Sequence, residues 1–183
     1  MATVTASGDG AAKAVTYIRG TPSTQLLWPE WSIPATFTIC SVTRYTGGVR
    51  GRILNCNSPS QSRDVLFGHW MGARGLAYFE AWMTSQASIG VVDDWLVMCG
   101  TNDAAVPVPG NQIVDQDEIG ILNGGVTQCR LNVGYYEPSD WALHSVLIWD
   151  YSIGAAPKPC HSIPCQSLRR VPSRLVLTRL SLW

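Results

Sequence analysis

Tyr78, Glu80 and Trp82 alternate with Ala77, Phe79 and Ala81 along the run AYFEAW at residues 77–82. In an extended strand this spacing puts the first three on one face and the apolar three on the other. The apolar set suits a core. The other set holds a carboxylate between two aromatic rings, which is chemistry suited to a sugar. Rings stack on the apolar C–H face of a pyranose, and a carboxylate accepts hydrogen bonds from its hydroxyls. The same residues also fit a structural role, in which Tyr78 and Trp82 cap the core and Glu80 pairs with an arginine such as Arg44 or Arg52.

A second constellation is acidic. Asp93 and Asp94 precede one apolar run, Asn102 and Asp103 follow it, and Asp115, Asp117 and Glu118 come soon after. Calcium takes about six to eight oxygen ligands, which loop carboxylates and asparagine carbonyls can supply. Asp93, Asp94, Asn102 and Asp103 are therefore the candidate calcium ligands, although the spacing is not that of an EF-hand loop. Solvated loop charge is the competing explanation.

Of the three histidines, His69 and His144 lie in apolar strand contexts and read as structural. His161, between Cys160 and Cys165, belongs to the nearest candidate for a zinc site, and no CxxC pair supports one. The six cysteines allow about fifteen pairings. Cys40 and Cys99 sit inside apolar strand patterns and read as buried thiols that pack as small hydrophobes. There is no GxSxG elbow, P-loop or HExxH, and no N-glycosylation sequon. Trp28, Trp31, Trp70, Trp95, Trp141 and Trp149 read as core or rim packing.

These residues need elements to position them, and the punctuation is that of an all-β chain. Short apolar or alternating runs are separated by Gly, Pro, Asn and Ser clusters, and no run sustains a 3.6-residue apolar period. Expected strands cover residues 14–19, 37–45, 50–56, 65–70, 76–82, 95–100, 126–133 and 142–149, with a strand or irregular crossover at 112–122. Thr46-Gly47-Gly48 should close a hairpin between 37–45 and 50–56, and residues 71–75 a second one. Asn123-Gly124-Gly125 reads as another turn. About ten strands at hairpin spacing imply a two-sheet antiparallel β-sandwich.

At 183 residues, 46% hydrophobic and 14% charged, the chain has the composition of one globular domain plus a tail. Residues 1–150 hold eight of the 13 basic residues and all 13 acidic ones, a net −5, and the remainder carries +5. An acidic body disfavours nucleic acid as a partner. No apolar run is long enough for a transmembrane helix. Gly8, Asp9, Gly10 and Lys13 break any signal-peptide core, so either the chain is intracellular or Met1 is an internal start within a longer gene. Residues 153–183 are Pro- and Cys-punctuated, then basic and apolar without clean alternation, and are expected to lie outside the domain.

Residues 37–45 (FTICSVTRY) and 139–150 (SDWALHSVLIWD) resemble the opening and closing strands of a concanavalin A-like lectin/glucanase domain of the laminin-G-like type. The resemblance covers about residues 14–152. It also rests on Phe67-Gly68-His69-Trp70, AYFEAW at 77–82, WLVMCGTN at 95–102 and Leu131-Asn132-Val133. It implies a jelly roll spanning residues 1–152, one module of an extracellular or cell-surface protein, with calcium at a rim as its expected cofactor. It also implies that Ser139-Asp140-Trp141 fixes the loop entering the last strand.

Sandwich glucanases carry alternating carboxylates on one strand face as nucleophile and acid. Here Asp115 and Asp117 share a face without the following partner, and Glu118 points away. The expected function is therefore non-catalytic binding of a glycan or glycoprotein, with Tyr78, Glu80 and Trp82 as the ligand-binding residues. A structural or protein-interaction module is the first alternative, and a sandwich glycoside hydrolase the second.

Overall fold

The computed structural model describes residues 1–58, 61–102, 112–115, 117–119, 129–133 and 137–151. Every element among them is a strand: β1 (Ala2–Gly8), β2 (Ala11–Gly20), β3 (Leu26–Leu27), β4 (Thr38–Arg50), β5 (Leu54–Ser58), β6 (Gln61–Trp70), β7 (Ala73–Phe79), β8 (Leu96–Thr101), β9 (Gln112–Val114), β10 (Asp117–Ile119), β11 (Leu131–Val133) and β12 (Ser139–Trp149). All pairings between them are antiparallel. One sheet has seven strands in the order β1-β2-β12-β4-β8-β9-β10, and the other five in the order β3-β11-β5-β6-β7. The result is the expected all-β two-sheet sandwich. Residues 153–183, the expected extra-domain tail, lie outside the described residues, as does the turn expected at 123–125.

Alternation builds the core. Ile39, Thr43 and Tyr45 point inward from β4, and Val65, Phe67, Ala77 and Phe79 meet them from β6 and β7, all buried. Phe37, just before β4, packs edge-on against Phe79 with ring centroids 5.0 Å apart, which ties the sheets together. Burial of each isoleucine, valine or phenylalanine among them contributes roughly 1.5–3 kcal/mol.

The chain departs from the expected hairpin at Thr46-Gly47-Gly48. β4 runs straight through these residues to Arg50, and β5 pairs with β6 and β11 rather than with β4. The cause is long-range. Asp140 of β12 lies against Gly47, and its Oδ2 accepts the Val49 amide at 3.0 Å. The chain instead crosses between sheets after Gly51, where a Cβ would collide with the Glu137 carbonyl. Ser139 Oγ also donates to the Arg52 carbonyl at 3.0 Å, so the Ser139-Asp140 pair bonds the distant end of β4 and the crossing after it, where a role in its own entry loop was expected. β1 was not foreseen; it pairs with β2 through a turn at Asp9-Gly10.

The expected hairpin around residues 71–75 is present but tighter, with β6 and β7 joined at Met71-Gly72, both of positive φ. The ladder then shifts between Gly68 and His69, and Gly75 is the residue left over. Its φ of +83° is open to glycine at no steric cost. The shift pairs Arg74 with His69 and turns both into the sandwich, where they are 2% and 0% exposed.

The cysteines depart from expectation as well. Cys40 and Cys99 are not thiols but a disulfide between directly opposed residues of β4 and β8. Cys56 and Cys129 form a second one. Their strand positions suited an apolar side chain, and the sequence alone did not show that the two patterns lie side by side.

Candidate functional site

Tyr78 and Trp82 come together, though not as neighbours along one straight strand. β7 ends at Phe79, and Glu80 adopts φ +58°, the left-handed region. The chain folds back on itself there: Phe79 N–H donates to the Ala81 carbonyl and Met83 N–H to the Ala77 carbonyl, both at 2.9 Å. Trp82 is thereby bridged antiparallel to Tyr78. Their ring centroids lie 5.3 Å apart, edge to face. Trp70, from the end of β6, packs against Trp82 at the same separation. All three rings are half-buried, so part of each surface faces outward.

A polar arc continues from these rings. Trp70 Nε1 donates to Glu137 Oε2 at 3.0 Å, and the same oxygen accepts from Arg52 Nε at 2.7 Å. Arg52 also engages both carboxylate oxygens of Asp64. Asp64 in turn donates its amide to Glu80 Oε1 at 2.7 Å, and Glu80 donates its own amide to the Asp64 carbonyl at 3.1 Å. The contacts thus run from Tyr78 through Trp82, Trp70, Glu137, Arg52 and Asp64 back to the Glu80 turn. Leu66, opposite Tyr78 in the ladder and on the same face as Asp64, is fully buried at its base.

Electrostatics explain why Arg52 stays charged here. Burial works against its charge, but hydrogen bonds and attraction from Asp64 and then Glu137 outweigh it, so its pKa lies above the ordinary value. Glu80 does not pair with Arg44 or Arg52, as its structural role required. Arg52 takes Asp64 and Glu137, and Arg44 takes Asp9 and stacks over Trp95.

The same sheet face carries a buried amide. Asn132 of β11, Asn55 of β5, Leu66 of β6 and Tyr78 of β7 form one cross-strand row. Asn132 is 1% exposed, and neither atom of its amide has a hydrogen-bond partner.

The candidate calcium ligands are not brought together. Asp93 and Asp94 precede β8 and Asn102 follows it, about 20 Å apart for a six-residue strand. Asp93 is held by Arg50 Nη2, at 2.8 Å from each carboxylate oxygen. Asn102 is buried and fully used: its Oδ1 accepts the Phe37 amide at 2.9 Å and its Nδ2 donates to the Ala35 carbonyl at 2.7 Å. Asp103 lies outside the described residues. Among those described, no group of three or more His, Cys, Asp or Glu side chains is arranged to hold a metal.

Asp115 is likewise structural. It forms an ion pair with Arg74, and its Oδ1 accepts the Val97 amide at 2.9 Å. His69 is buried with Nδ1 3.3 Å from Thr43 Oγ1 and its ring edge-on to Tyr45. Burial first, and then the facing Arg74 charge, push its pKa down to about 3. A neutral imidazole locked in the core has packing to do rather than catalysis.

Sequence reading missed Asp64, Glu137 and the site role of Trp70, and it offered Arg52 only as a partner for Glu80. Arg52 and Glu137 are 85 residues apart and meet only because the sheet crossover passes the entry to β12. No local spacing encodes that meeting. No family model and no curated protein sequence matches the chain.

Proposed function

We propose that this protein is a non-catalytic carbohydrate-binding module of the concanavalin A-like, laminin-G-like jelly-roll type. Its ligand lies on the Tyr78–Trp82–Trp70 surface of the five-stranded sheet. The observation that carries this reading is the joining of three half-exposed aromatic rings to an arc of carboxylates around one arginine. Rings offer stacking surface to a pyranose, and fixed acceptors and donors at their border orient its hydroxyls. Because Arg52, Asp64 and Glu137 hold one another, the polar border is organised before any ligand arrives, which lowers the cost of binding.

An extracellular or cell-surface setting fits the same reading. Two disulfides within the sheets are the kind of cross-link that persists in an oxidising environment. A screen of the full chain against a glycan array, with calcium and with chelator, tests the function. Hits that survive chelation are expected, since ring stacking and side-chain hydrogen bonds need no metal. A blank from folded protein would overturn the proposal in favour of a structural interaction module.

A further inference from the structure

Resting on the glycan reading above, we infer that the ligand is a soluble glycan that lodges a single pyranose between these rings, not the flat face of a crystalline polysaccharide. The observation is the tilt between neighbouring rings. Trp82 meets Trp70 at 49° and Tyr78 at 69°, each with ring centroids 5.3 Å apart. Rings that share one plane can each stack on successive sugars of an extended chain lying across them. Rings at these angles enclose a corner instead. A pyranose laid on one face turns its rim towards the next ring, so neighbouring rings grip the same sugar. No further ring beside them would bring these three into one plane.

The tilt is built in. Trp70 Nε1 donates to Glu137 Oε2, which Arg52 also binds, and Arg52 is only 8% exposed. Tyr78 and Trp82 are held by the antiparallel bridge across the Glu80 turn. Bringing the rings into one plane would break a charge-assisted hydrogen bond or undo that turn. The polar border points to the same ligand class on separate grounds. Glu137 and Glu80 are anchored beside the rings by hydrogen bonds, and carboxylates accept from the equatorial hydroxyls on a sugar's rim. A hydrated chain in solution has those hydroxyls free to give. In a crystalline sheet of extended chains they already bond to neighbouring chains. Such a surface would strip water from the carboxylates and return few hydrogen bonds.

The test pairs the glycan array with depletion of the full chain from solution by microcrystalline cellulose and by crystalline chitin. Cellohexaose and the N-acetylglucosamine hexamer serve as the soluble competitors. A soluble array hit that Trp82→Ala loses is expected, with no depletion beyond that of an albumin control. Calorimetry with that hit should find Trp70→Phe and Trp82→Phe each severalfold weaker, and the double variant weaker by less than the product of the two losses. Losses that multiply would assign the rings separate sugars and overturn the inference. Depletion that the soluble hexamer does not compete would also overturn it, and would leave the glycan reading standing. A soluble hit kept in full by folded Trp82→Ala would place the sugar elsewhere and overturn the inference as well. No array hit and no depletion would remove both.

Discussion

Trp82 sits directly across from Tyr78 in an antiparallel bridge, although only three residues separate them in the chain. The residue that makes this possible is Glu80, at φ +58°. A non-glycine residue in that region costs roughly 1–2 kcal/mol. The Glu80 carboxylate offsets the cost by accepting the Asp64 amide, so one residue both turns the chain and presents an acceptor beside two rings.

This relationship fixes an order of stabilities. Glu80→Ala loses the carboxylate and keeps the strain, whereas Glu80→Gly loses the carboxylate and releases it. Glycine should therefore be the more stable variant by about 1 kcal/mol, the reverse of the usual order at a strand position. Urea midpoints of the two variants measure it. An alanine variant as stable as the glycine one would mean that the turn is not left-handed.

Much of the fold was legible from residue types, because strands such as β4 and β12 are rich in β-branched and aromatic residues and are bounded by loops. The misreadings share one cause. Thr46-Gly47-Gly48 has turn composition, yet Asp140, some ninety residues later, holds it extended. Tyr78 and Trp82 were rightly grouped, but by a period-two argument that the turn at Glu80 replaces. Arg74 looked like part of a turn, and only the ladder shift at Gly75 shows it facing inward. Local pattern reports which residues are extended. It does not report which distant side chain decides where extension stops.

Arg74 is the clearest internal brace. Its Nη2 donates to the Trp95 carbonyl at 3.1 Å, its Nη1 donates to the Val91 carbonyl at 3.2 Å, and it pairs with Asp115. Arg74→Ala should lower stability by about 1–3 kcal/mol, since it leaves the Val91 and Trp95 carbonyls without their donor while Asp115, a third exposed, can turn to water. Arg74→Lys should recover only a small part, because an ammonium cannot reproduce the guanidinium fork. Thermal melts of both variants check this. Full rescue by lysine would show that only the charge matters.

His69 should make the fold acid-sensitive. Its native pKa is pushed down to about 3, while an unfolded histidine titrates near the ordinary value of 6.5. Between those values the unfolded chain binds the extra proton. The native state is therefore undiminished above about pH 6.5 and loses up to roughly 1.4 kcal/mol per pH unit as pH falls toward 3. The Arg74 cation facing the ring acts in the same direction. His69→Gln should flatten the slope between about pH 6 and 4.5, read as urea midpoints against pH. An unchanged slope would assign the acid response to the carboxylates.

The most direct test of the aromatic surface follows tryptophan emission during titration with an oligosaccharide identified by the array, in wild type and in Trp82→Ala. Among the described residues the ring contacts of Trp82 are to the half-buried Trp70 and Tyr78, so its removal should leave a cooperative fold that melts a few degrees lower, from loss of edge contacts worth about 1 kcal/mol. The wild type should show a saturable spectral change and the variant none, with affinity reduced at least about a hundredfold. Undiminished binding by a folded Trp82→Ala protein would contradict the site.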